Sequence, residues 1–456
     1  MTMLPDTAPV RPVEPGAREG LDAAVGRTPL VRLPRFEPRP GVRLYAKLES
    51  RNPGGSVKDR AALAIIREGE RTGSLRPGRA ILDATSGNTG IAYAMLGAAR
   101  GYPVRLAVPG NITPERRRLL EVYGADLIDT DPMLGSDGAI LEARRLHDAE
   151  PDRYFYADQY GNPANWRAHY ETTAPELLEQ TVGRLTHFVA GLGTSGTFVG
   201  AGRRLRETVP GIALVSVQPD SPLHGLEGLK HMASALVPAI YDPRLADVAL
   251  TVATEDALDL TRRLAREEGL FVGPSSGAAL AASLEIMDGL DRGVVVTLFP
   301  DGGDRYMSER FWTEAADPPR GGRLRIEPGA LARIRLHGEE SYPHECCGAL
   351  LGAEAGHAIS ALPLDNVTDG ERRRRFLISP DAYRRAEAEA DRTGRRLLGF
   401  YHSHPDHPAE PSAFDLEHAW PNLNYVIVPV RNGRAEGLRS WRLRADRSRF
   451  EEEELL

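Results

Sequence analysis

Short apolar runs alternate with longer amphipathic segments over most of the chain, between residues 41 and 300. The runs are RLYAKLE, AILDAT, VRLAVPG, THFVAGL, ALVSVQP and GVVVTLFP, and each precedes or follows a helical pattern. Strands that alternate with helices predict an α/β fold with a largely parallel sheet. Ligands of such sheets bind in the loops that follow the carboxyl ends of the strands.

The pattern changes after the segment AADPPRGG at residues 315–322, whose prolines and glycines predict a linker. Beyond it, RLRIEP, CCGALLG, LLGFYHSH and NYVIVPV predict strands, and PGALARIRLHGEESYP predicts a helix. We therefore expect a first domain at residues 1–314 and a small second α/β domain at residues 323–456. The glutamate run at residues 451–454 is expected to be a solvated tail.

Charge and cysteine usage narrow the class of protein. The 456 residues carry a net charge of −7, so no overall positive field would hold a nucleic acid. The two cysteines, Cys346 and Cys347, are adjacent and cannot form a disulfide framework, so core packing is favoured over a reactive thiol. The first twenty residues contain no apolar signal core, and no run of eighteen uncharged apolar residues occurs. We expect a cytoplasmic protein that is neither secreted nor membrane-spanning.

Four consecutive arginines, at residues 372–375, stand out against this acidic background. The favoured interpretation is a solvated loop before a strand, FLIS. A binding site for an anion or a partner stays open as the alternative.

Lys58 lies in ESRNPGGSVKDR, where Ser56 and Asp59 have the spacing of a capping box and the run AALAII follows as a helix. The lysine would then occupy the first turn, where the positive end of the helix macrodipole lowers the pKa of an amine. Because a neutral amine is a nucleophile, a Schiff-base lysine is one interpretation of this position. A solvated lysine at a helix start accounts for the segment equally well.

Three loops after predicted strands are rich in glycine and hydroxyl side chains: TSGNTG at residues 85–90, GLGTSG at residues 191–196 and VGPSSG at residues 272–277. Backbone N–H groups at a helix start bind anions, and glycine lets a ligand approach the backbone. The second loop also matches the G-x-G-x-x-G pattern of nicotinamide dinucleotide sites, but its hydroxyls suit a terminal phosphate better. Taken singly, each loop is better interpreted as structural.

Together with Lys58, these loops resemble the cysteine synthase family of fold-type II pyridoxal phosphate enzymes. The resemblance extends over about residues 25–306. It rests on NPGGSVKDR, TSGNTG, QYGNPAN, GTSGT, GPSSGAA and FPDGGDRYMS, in this order. It implies a two-subdomain, parallel-sheet enzyme that forms a homodimer, and it displaces the dinucleotide interpretation.

The resemblance also implies roles for individual residues. Lys58 would bind pyridoxal phosphate covalently and take the proton from Cα of the substrate, and Asn88 would contact the ring oxygen of the cofactor. Ser275 would face the pyridine nitrogen, where a neutral hydroxyl favours elimination and replacement at Cβ. The residues implied to bind the cofactor phosphate are Gly193, Thr194, Ser195, Gly196 and Thr197. The residues implied to bind the substrate carboxylate are Thr85, Ser86, Thr89 and Gln159.

The implied reaction replaces the β-substituent of an activated serine with sulfur and makes cysteine. One segment, PDSPLHGLEGLKHMASALVP, departs from typical O-acetylserine enzymes, which have a glycine-rich segment there. His224, Lys230 and His231 would add cations near the mouth of the pocket. O-phosphoserine is therefore a candidate substrate beside O-acetylserine.

In the second domain, His402 and His404 are two residues apart in GFYHSHP, so both imidazoles would point to one face of a strand. Asp415 would complete a set of two histidines and one carboxylate with a fourth position open, which is how catalytic zinc is bound. Two structural interpretations stay open beside the zinc site. The histidines are simple polar strand residues, or Asp415 and Ser412 cap the helix FDLEHAW.

The wider pattern resembles the JAMM (MPN+) metalloprotease family over about residues 324–444. By this resemblance Glu345, in HECCGALLG, would be the general base, and Ser412 would stabilise the oxyanion. Domains of this family cleave amide bonds after ubiquitin-like tails. The pairing of the two families implies that a thiocarboxylated, ubiquitin-like sulfur carrier delivers sulfur and that the zinc hydrolase then releases cysteine from it.

Two alternatives to this pairing stay open. In one, the enzyme uses sulfide and its JAMM domain acts on an unrelated ubiquitin-like target. In the other, the JAMM domain holds no metal and serves as a docking module for the carrier.

Overall fold

The computed structural model describes residues 20–85, 87–110, 112–131, 134–221, 224–312, 323–353, 356–368, 373–419, 423–443 and 449–456. The chain divides into two compact units, Met1–Thr313 and Glu314–Leu456. The expected linker at residues 315–322 lies outside the described residues.

The first unit alternates strands and helices along the chain. Its strands are β1 (Leu30–Arg32), β2 (Val42–Leu48), β3 (Ala80–Ala84), β4 (Val104–Pro109), β5 (Asp126–Thr130), β6 (Tyr154–Tyr156), β7 (His187–Gly191), β8 (Ala213–Pro219), β9 (Val248–Val252) and β10 (Gly293–Phe299). Its helices are α1 (Lys58–Thr72), α2 (Asn88–Arg100), α3 (Pro114–Val122), α4 (Gly135–Ala149), α5 (Pro163–Ala168), α6 (Ala174–Gln180), α7 (Gly196–Thr208), α8 (Thr254–Glu267) and α9 (Pro274–Asp288).

Two sheets organise these elements. The first has the strand order β1-β2-β10-β7-β8-β9 and is parallel except for β1. The second has the order β5-β4-β3-β6 and is parallel throughout. The α/β class and the two parallel-sheet subdomains expected from the sequence are therefore confirmed.

The central strands of the first sheet are buried, which explains why they read as continuous apolar runs. Strand β10 reads GVVVTLF, and its residues from Val295 to Phe299 are almost fully buried. Helix α9 packs Ala278, Leu280 and Ala282 into the same core. Close packing on the sheet fixes the loops at the carboxyl ends of the strands, where the candidate site lies.

A buried ion network fixes helix α1, whose first residue is Lys58. Arg60 of this helix pairs with Glu49 at 2.7 Å and with Glu176 of α6 at 2.6 Å. Lys47 of β2 pairs with the same Glu176 at 2.7 Å. Because loss of one partner would leave a buried charge unpaired, the network holds the start of the helix in one position.

The second unit is built on one mixed sheet. Its strands are β11 (Arg323–Ile326), β12 (Cys347–Gly352), β13 (His357–Ala358), β14 (Ser360–Leu364), β15 (Arg396–Pro405), β16 (Asn424–Arg431), β17 (Arg434–Ala435), β18 (Arg439–Leu443) and β19 (Phe450–Leu455). Its helices are α10 (Pro328–Ser341), α11 (Pro380–Arg392) and α12 (Ala413–His418). The strand order is β13-β11-β19-β18-β16-β15-β12-β14, with β17 beside β16.

Strand β15 carries the two histidines and lies inside this sheet. It is parallel to β16 and antiparallel to β12. One face of the sheet packs on α10 and the other on α11. Cys346 and Cys347 are free thiols buried in these two cores, one in each, so the prediction of core packing is confirmed.

The prediction of a solvated glutamate tail is confirmed for Glu451, Glu452 and Glu454, which are exposed, and is wrong for Glu453. Residues 450–455 form β19, which is antiparallel to β18 and parallel to β11. Glu453 is buried and accepts hydrogen bonds from Asn424 at 2.6 Å and from Ser440 at 3.0 Å. The buried residue in the middle of the strand is a glutamate, whose carboxylate binds polar partners. The strand therefore lacks the alternation of apolar and polar residues that predicts a strand from sequence.

The prediction of a strand at FLIS is also wrong. Leu377 donates its N–H to the side chain of Asn366 at 3.1 Å, and the segment continues as a loop to α11. The backbone oxygen of Leu377 also accepts the N–H of Val367 at 3.0 Å, but these two contacts do not extend into a strand ladder. Within the described parts of the chain, every helix is too short or too polar to span a bilayer.

Candidate active sites

Lys58 lies in a pocket of the first unit formed by two adjoining cavities of about 100 Å³ and 40 Å³. Burial lowers the pKa of Lys58 below its ordinary value, although the carboxylate of Asp301 opposes this shift. The expected direction is confirmed, and burial is its main cause. A buried amine with a lowered pKa is able to act as a nucleophile and a base.

The capping box expected at Ser56 and Asp59 does not form. Val57 precedes the helix and provides no side-chain cap. The carboxylate of Asp59 accepts the N–H of Gly54 at 2.5 Å, and the hydroxyl of Ser56 accepts the N–H of Lys58 at 3.3 Å. Because the loop NPGG folds back over the helix start, Asp59 binds the loop and not Ser56.

The pocket brings together most of the residues that the sequence singled out. Those that line it are Lys58, Thr85, Asn88, Thr89, Gln159, Gly193, Thr194, Ser195, Thr197 and Ser275. Gly196 begins helix α7 directly after the loop. Ser86, which was also expected to bind the substrate carboxylate, lies outside the described residues.

The loop between β7 and α7 has the form of an anion site. Ser195 adopts a φ of 66°, a sparsely populated region for a residue other than glycine, and its hydroxyl is buried without a hydrogen-bond partner among the described residues. A Cβ on Gly193 would lie 2.1 Å from the carbonyl oxygen of Gly228, and a Cβ on Gly196 would lie 2.0 Å from Asn165 Oδ1. This tight cradle with an unpaired hydroxyl at a helix start fits the phosphate of pyridoxal phosphate.

The loop between β3 and α2 has a capping role and also lines the pocket. The hydroxyl of Thr85 accepts the N–H groups of Gly87 at 3.0 Å and Gly90 at 3.1 Å. Thr89 donates to Gln159 Oε1 at 2.6 Å. Thr85 is thus held by the loop itself, and Thr89 by a side chain from the segment after β6.

A set of hydrogen bonds in the wall of the Lys58 pocket joins residues that are far apart in sequence. Asn88 and Tyr306 donate to the same carboxylate oxygen of Asp301, at 2.6 Å and 2.8 Å. Arg305 donates to Asn88 and to a backbone carbonyl of the NPGG loop. Sequence reasoning missed Asp301 and Arg305, although both lie in the motif FPDGGDRYMS that carried the resemblance.

Arg116 of α3 also lines the pocket and was also missed. It is 3% exposed, pairs with Glu227 and lies 4.6 Å from the ring centre of Tyr306. A signal for it exists in the sequence, since Arg116 and Leu120 are four residues apart and share the buried face of the helix.

Of the three cations expected near the mouth of the pocket, only Lys230 lines it. Its Nζ lies 2.9 Å from Asp137 Oδ1 and 5.2 Å from the ring centre of Tyr160. The expectation that His224 is a cation is wrong. Burial lowers the pKa of His224 to about 4, and the positive charges of His231 and Lys230 act in the same direction.

In the second unit, the structure brings His402, His404 and Asp415 together. Their potential ligand atoms lie within 4.8 Å of one another, and all three residues are buried. The two Nε2 atoms are 3.1 Å apart, and Asp415 Oδ1 is 3.5 Å from Nε2 of His402. The period-two prediction that both imidazoles face one side of the strand is confirmed.

A hydrogen bond at the edge of this cluster orients a histidine in the way that metal binding requires. Nδ1 of His404 lies 2.7 Å from the carbonyl oxygen of Pro408, so Nδ1 carries the proton and Nε2 presents a lone pair. Burial lowers the pKa of His402 to about 3, which keeps that imidazole neutral. Two imidazole nitrogens and a carboxylate that converge in a buried place form a donor set that zinc prefers.

Ser412 caps helix α12 and orients Asp415. Its N–H and hydroxyl both donate to Asp415 Oδ2, at 2.6 Å and 2.7 Å, and its Oγ accepts the N–H of Asp415 at 3.2 Å. The predicted capping box is therefore formed here. It holds the carboxylate that faces the histidines.

Glu345 lies just before β12 and is 6% exposed. Burial raises its pKa to about 8, and the negative charge of Asp415 adds to this rise. Cys347, two residues later, pairs with His402 in the neighbouring strand. Glu345 is thus a second buried carboxyl group close to the histidine cluster.

Two family models match the chain. Residues 21–301 match the model described as "pyridoxal-phosphate dependent enzyme", and residues 327–444 match "prokaryotic homologs of the JAB domain". Curated relatives align with the first part. A cysteine synthase of Aquifex aeolicus is 49% identical over 305 residues, which cover 65% of this chain and 93% of the relative. Cysteine synthase B of Salmonella typhimurium is 42% identical over 294 residues, which cover 64% and 96%.

Solved structures align with the same part of the chain. O-ureido-L-serine synthase has a TM-score of 0.62 and 40% identity, covering 66% of this chain and 97% of that structure. An O-acetylserine dependent cystathionine beta-synthase from Helicobacter pylori has a TM-score of 0.61 and 36% identity, covering 64% and 98%. The JAB match thus lies in a part of the chain beyond these relatives.

Proposed function

The chain belongs to the pyridoxal-phosphate dependent enzymes, as a cysteine synthase-type member that carries a JAB domain. From this premise, we propose that the protein makes cysteine on a carrier protein and then releases it. Sulfur of a thiocarboxylated, ubiquitin-like carrier would replace the β-substituent of an O-activated serine. Acyl transfer from sulfur to nitrogen would leave cysteine joined to the carrier by an amide. Water would then cleave this amide, giving cysteine and a carrier with a free carboxylate. The observation that carries the proposal is the presence of both buried sites on one chain.

In the first site, pyridoxal phosphate would supply the electron sink for loss of the Cα proton and of the β-substituent. Lys58 would hold the cofactor and take the Cα proton, which its lowered pKa favours. Thr89 and Gln159, already fixed to each other, would bind the substrate carboxylate together with Thr85. The loop at residues 193–197 would bind the cofactor phosphate, and Ser275 would face its ring nitrogen.

Proteins of this fold differ in the nucleophile that replaces the β-substituent of the substrate. Relatives and similar structures are named for different products, since they include cysteine synthases, an O-ureido-L-serine synthase and a cystathionine beta-synthase. A JAB domain on the same chain favours a protein donor over free sulfide, because cysteine joined to a carrier needs an amide hydrolase.

Lys230 is expected to favour O-phosphoserine. A phosphate at Cβ would gain a charge-assisted hydrogen bond from its Nζ, which lines the same pocket as Lys58. Lys230→Gln should therefore lower kcat/KM for O-phosphoserine about 10- to 100-fold and change that for O-acetylserine about twofold or less. The control is His231→Gln, since His231 binds Ser234 and does not line the pocket. Equal losses of kcat/KM for both substrates, or equal turnover of both by the unaltered protein, would contradict a preference for O-phosphoserine.

In the second site, zinc held by His402, His404 and Asp415 would polarise the scissile carbonyl and the attacking water. Glu345 would take the proton from that water and pass it to the leaving amine. The N–H of Ser412 would keep Asp415 in place, while its hydroxyl would turn from Asp415 and donate to the oxyanion. The arrangement supports hydrolysis of an amide at an exposed protein tail.

The test combines the protein, pyridoxal phosphate and zinc with an activated serine and a thiocarboxylated carrier that ends in Gly-Gly. Free cysteine should form only with the carrier, and a zinc chelator should leave the carrier–cysteine adduct. Comparable cysteine from sulfide, with no effect of carrier, would favour the sulfide-dependent alternative. A folded protein without zinc by metal analysis would favour the docking module.

A further inference from the structure

The last arginine of the run, Arg375, and the next residue, Phe376, contact residues of the candidate zinc site or their neighbours in the chain. Phe376 stacks on His402, with ring centres 4.3 Å apart. One residue earlier, Arg375 places its guanidinium carbon 5.2 Å from the ring centre of Phe414, next to Asp415. Asn366 Nδ2 lies 3.1 Å from the backbone oxygens of both Arg375 and Glu345. Asn366 thus ties the backbone of Arg375 to that of the expected base, and the guanidinium of Arg375 lies against the ring of the residue that precedes an expected metal ligand.

Arg375 is exposed and available to a ligand. No carboxylate of the described residues forms an ion pair with its guanidinium, which contacts the ring of Phe414. Arg439, in the same unit, differs because it is already paired with Glu410 at 3.0 Å and Glu452 at 2.7 Å. A guanidinium that is fixed by an aromatic ring and lacks an acidic partner is prepared to bind a carboxylate.

An apolar cavity of about 100 Å³ lies beside the same aromatic ring. Phe376, Ile378, Phe400, Phe414 and Tyr425 line it, and Asp415 is the one acidic residue in its wall. The cavity therefore has apolar walls and one expected metal ligand, and Arg375 contacts Phe414, one of the rings that line it. A small apolar side chain whose residue ends in a carboxylate matches both features.

We propose that Arg375 and this cavity form the subsite for the residue that the JAB domain releases. The guanidinium binds the free α-carboxylate of that residue, and the cavity takes its side chain. Cleavage then removes a single C-terminal residue such as cysteine, and internal peptide bonds are poor substrates because they offer no carboxylate. This inference rests on the proposed hydrolase function and adds the feature of the substrate that the site recognises.

The test compares three substrates made from one ubiquitin-like carrier ending in Gly-Gly: the carrier joined to cysteine, to cysteine carboxamide and to aspartate. The unaltered, zinc-loaded protein should cleave the first about 10- to 100-fold faster than the second, since one charge-assisted hydrogen bond is lost. Aspartate should also be released slowly, because its charge would enter an apolar cavity. Arg375→Gln should lower cleavage of the first substrate to the rate of the second.

The matched control is Arg374→Gln, which removes an exposed charge from the neighbouring position. It should keep both the rate and the preference for a free carboxylate. Equal cleavage of acid and carboxamide by the unaltered protein, or a preference that survives Arg375→Gln, would overturn the role of Arg375. Release of aspartate as fast as cysteine would overturn the role of the cavity. Cleavage of none of the three would instead overturn the proposed hydrolase function itself.

Discussion

Replacing Lys58 by alanine is expected to lower cysteine formation by at least about 10³-fold, because the amine both anchors the cofactor and moves the Cα proton. The half-buried side chain lines the pocket at the first position of α1, and its lowered pKa makes the neutral amine available. Lys47 and Lys230, the other two lysines of the sequence, are held in ion pairs. To bind the cofactor in place of Lys58, either lysine would have to break its ion pair. The measurements are the rate of cysteine formation and the visible absorbance of the bound cofactor.

The control for this experiment is Lys230→Gln, which should keep the absorbance of the bound cofactor. Borohydride reduction followed by peptide mapping should place the cofactor on the peptide that contains Lys58. Attachment at Lys47 or Lys230 would contradict the assignment. So would a Lys58→Ala variant that retains more than about one-tenth of the normal rate.

The elements of the first unit could be predicted because each strand and helix has a local hydrophobic period. Contacts between distant segments could not be predicted in this way. Asn88 and Asp301 are 213 residues apart and meet only when the two sheets bring their loops together. The capping box at Ser56 and Asp59 failed for a local reason, since the N–H of Gly54, only five residues before Asp59, takes the carboxylate.

In the second unit, local rules placed His402 and His404 correctly because strand period alone decides which face a side chain takes. Ser412 and Asp415 were also found by local spacing, and here the carboxylate binds the N–H and hydroxyl of Ser412 as the capping box requires. Strand β19 was missed because its inward residue, Glu453, is satisfied by polar partners on β16 and β18. Sequence reasoning therefore works where neighbours in the chain decide the structure and fails where a buried polar partner does.

Replacing Glu345 by alanine is expected to stop the proposed reaction at the carrier–cysteine adduct and to lower release of cysteine about 10²- to 10⁴-fold. The residue is buried, and Cys347, two positions later, pairs with His402, so Glu345 lies beside the histidine cluster. The first site lies in the other unit, so formation of the adduct should continue at its normal rate. Mass spectrometry of the carrier measures the adduct, and a thiol assay measures free cysteine.

Two variants separate the chemistry of Glu345 from its packing. Glu345→Gln keeps the size of the side chain and removes its ability to accept the proton, so it should stall at the same adduct. Glu410→Gln alters an exposed glutamate of the same unit, which is paired only with Arg439 among the described residues, and should release cysteine normally. If Glu345→Ala and Glu345→Gln release cysteine at the normal rate, the second half of the proposed function is wrong. If only the alanine variant is slow, Glu345 supports the site by packing and another group is the base.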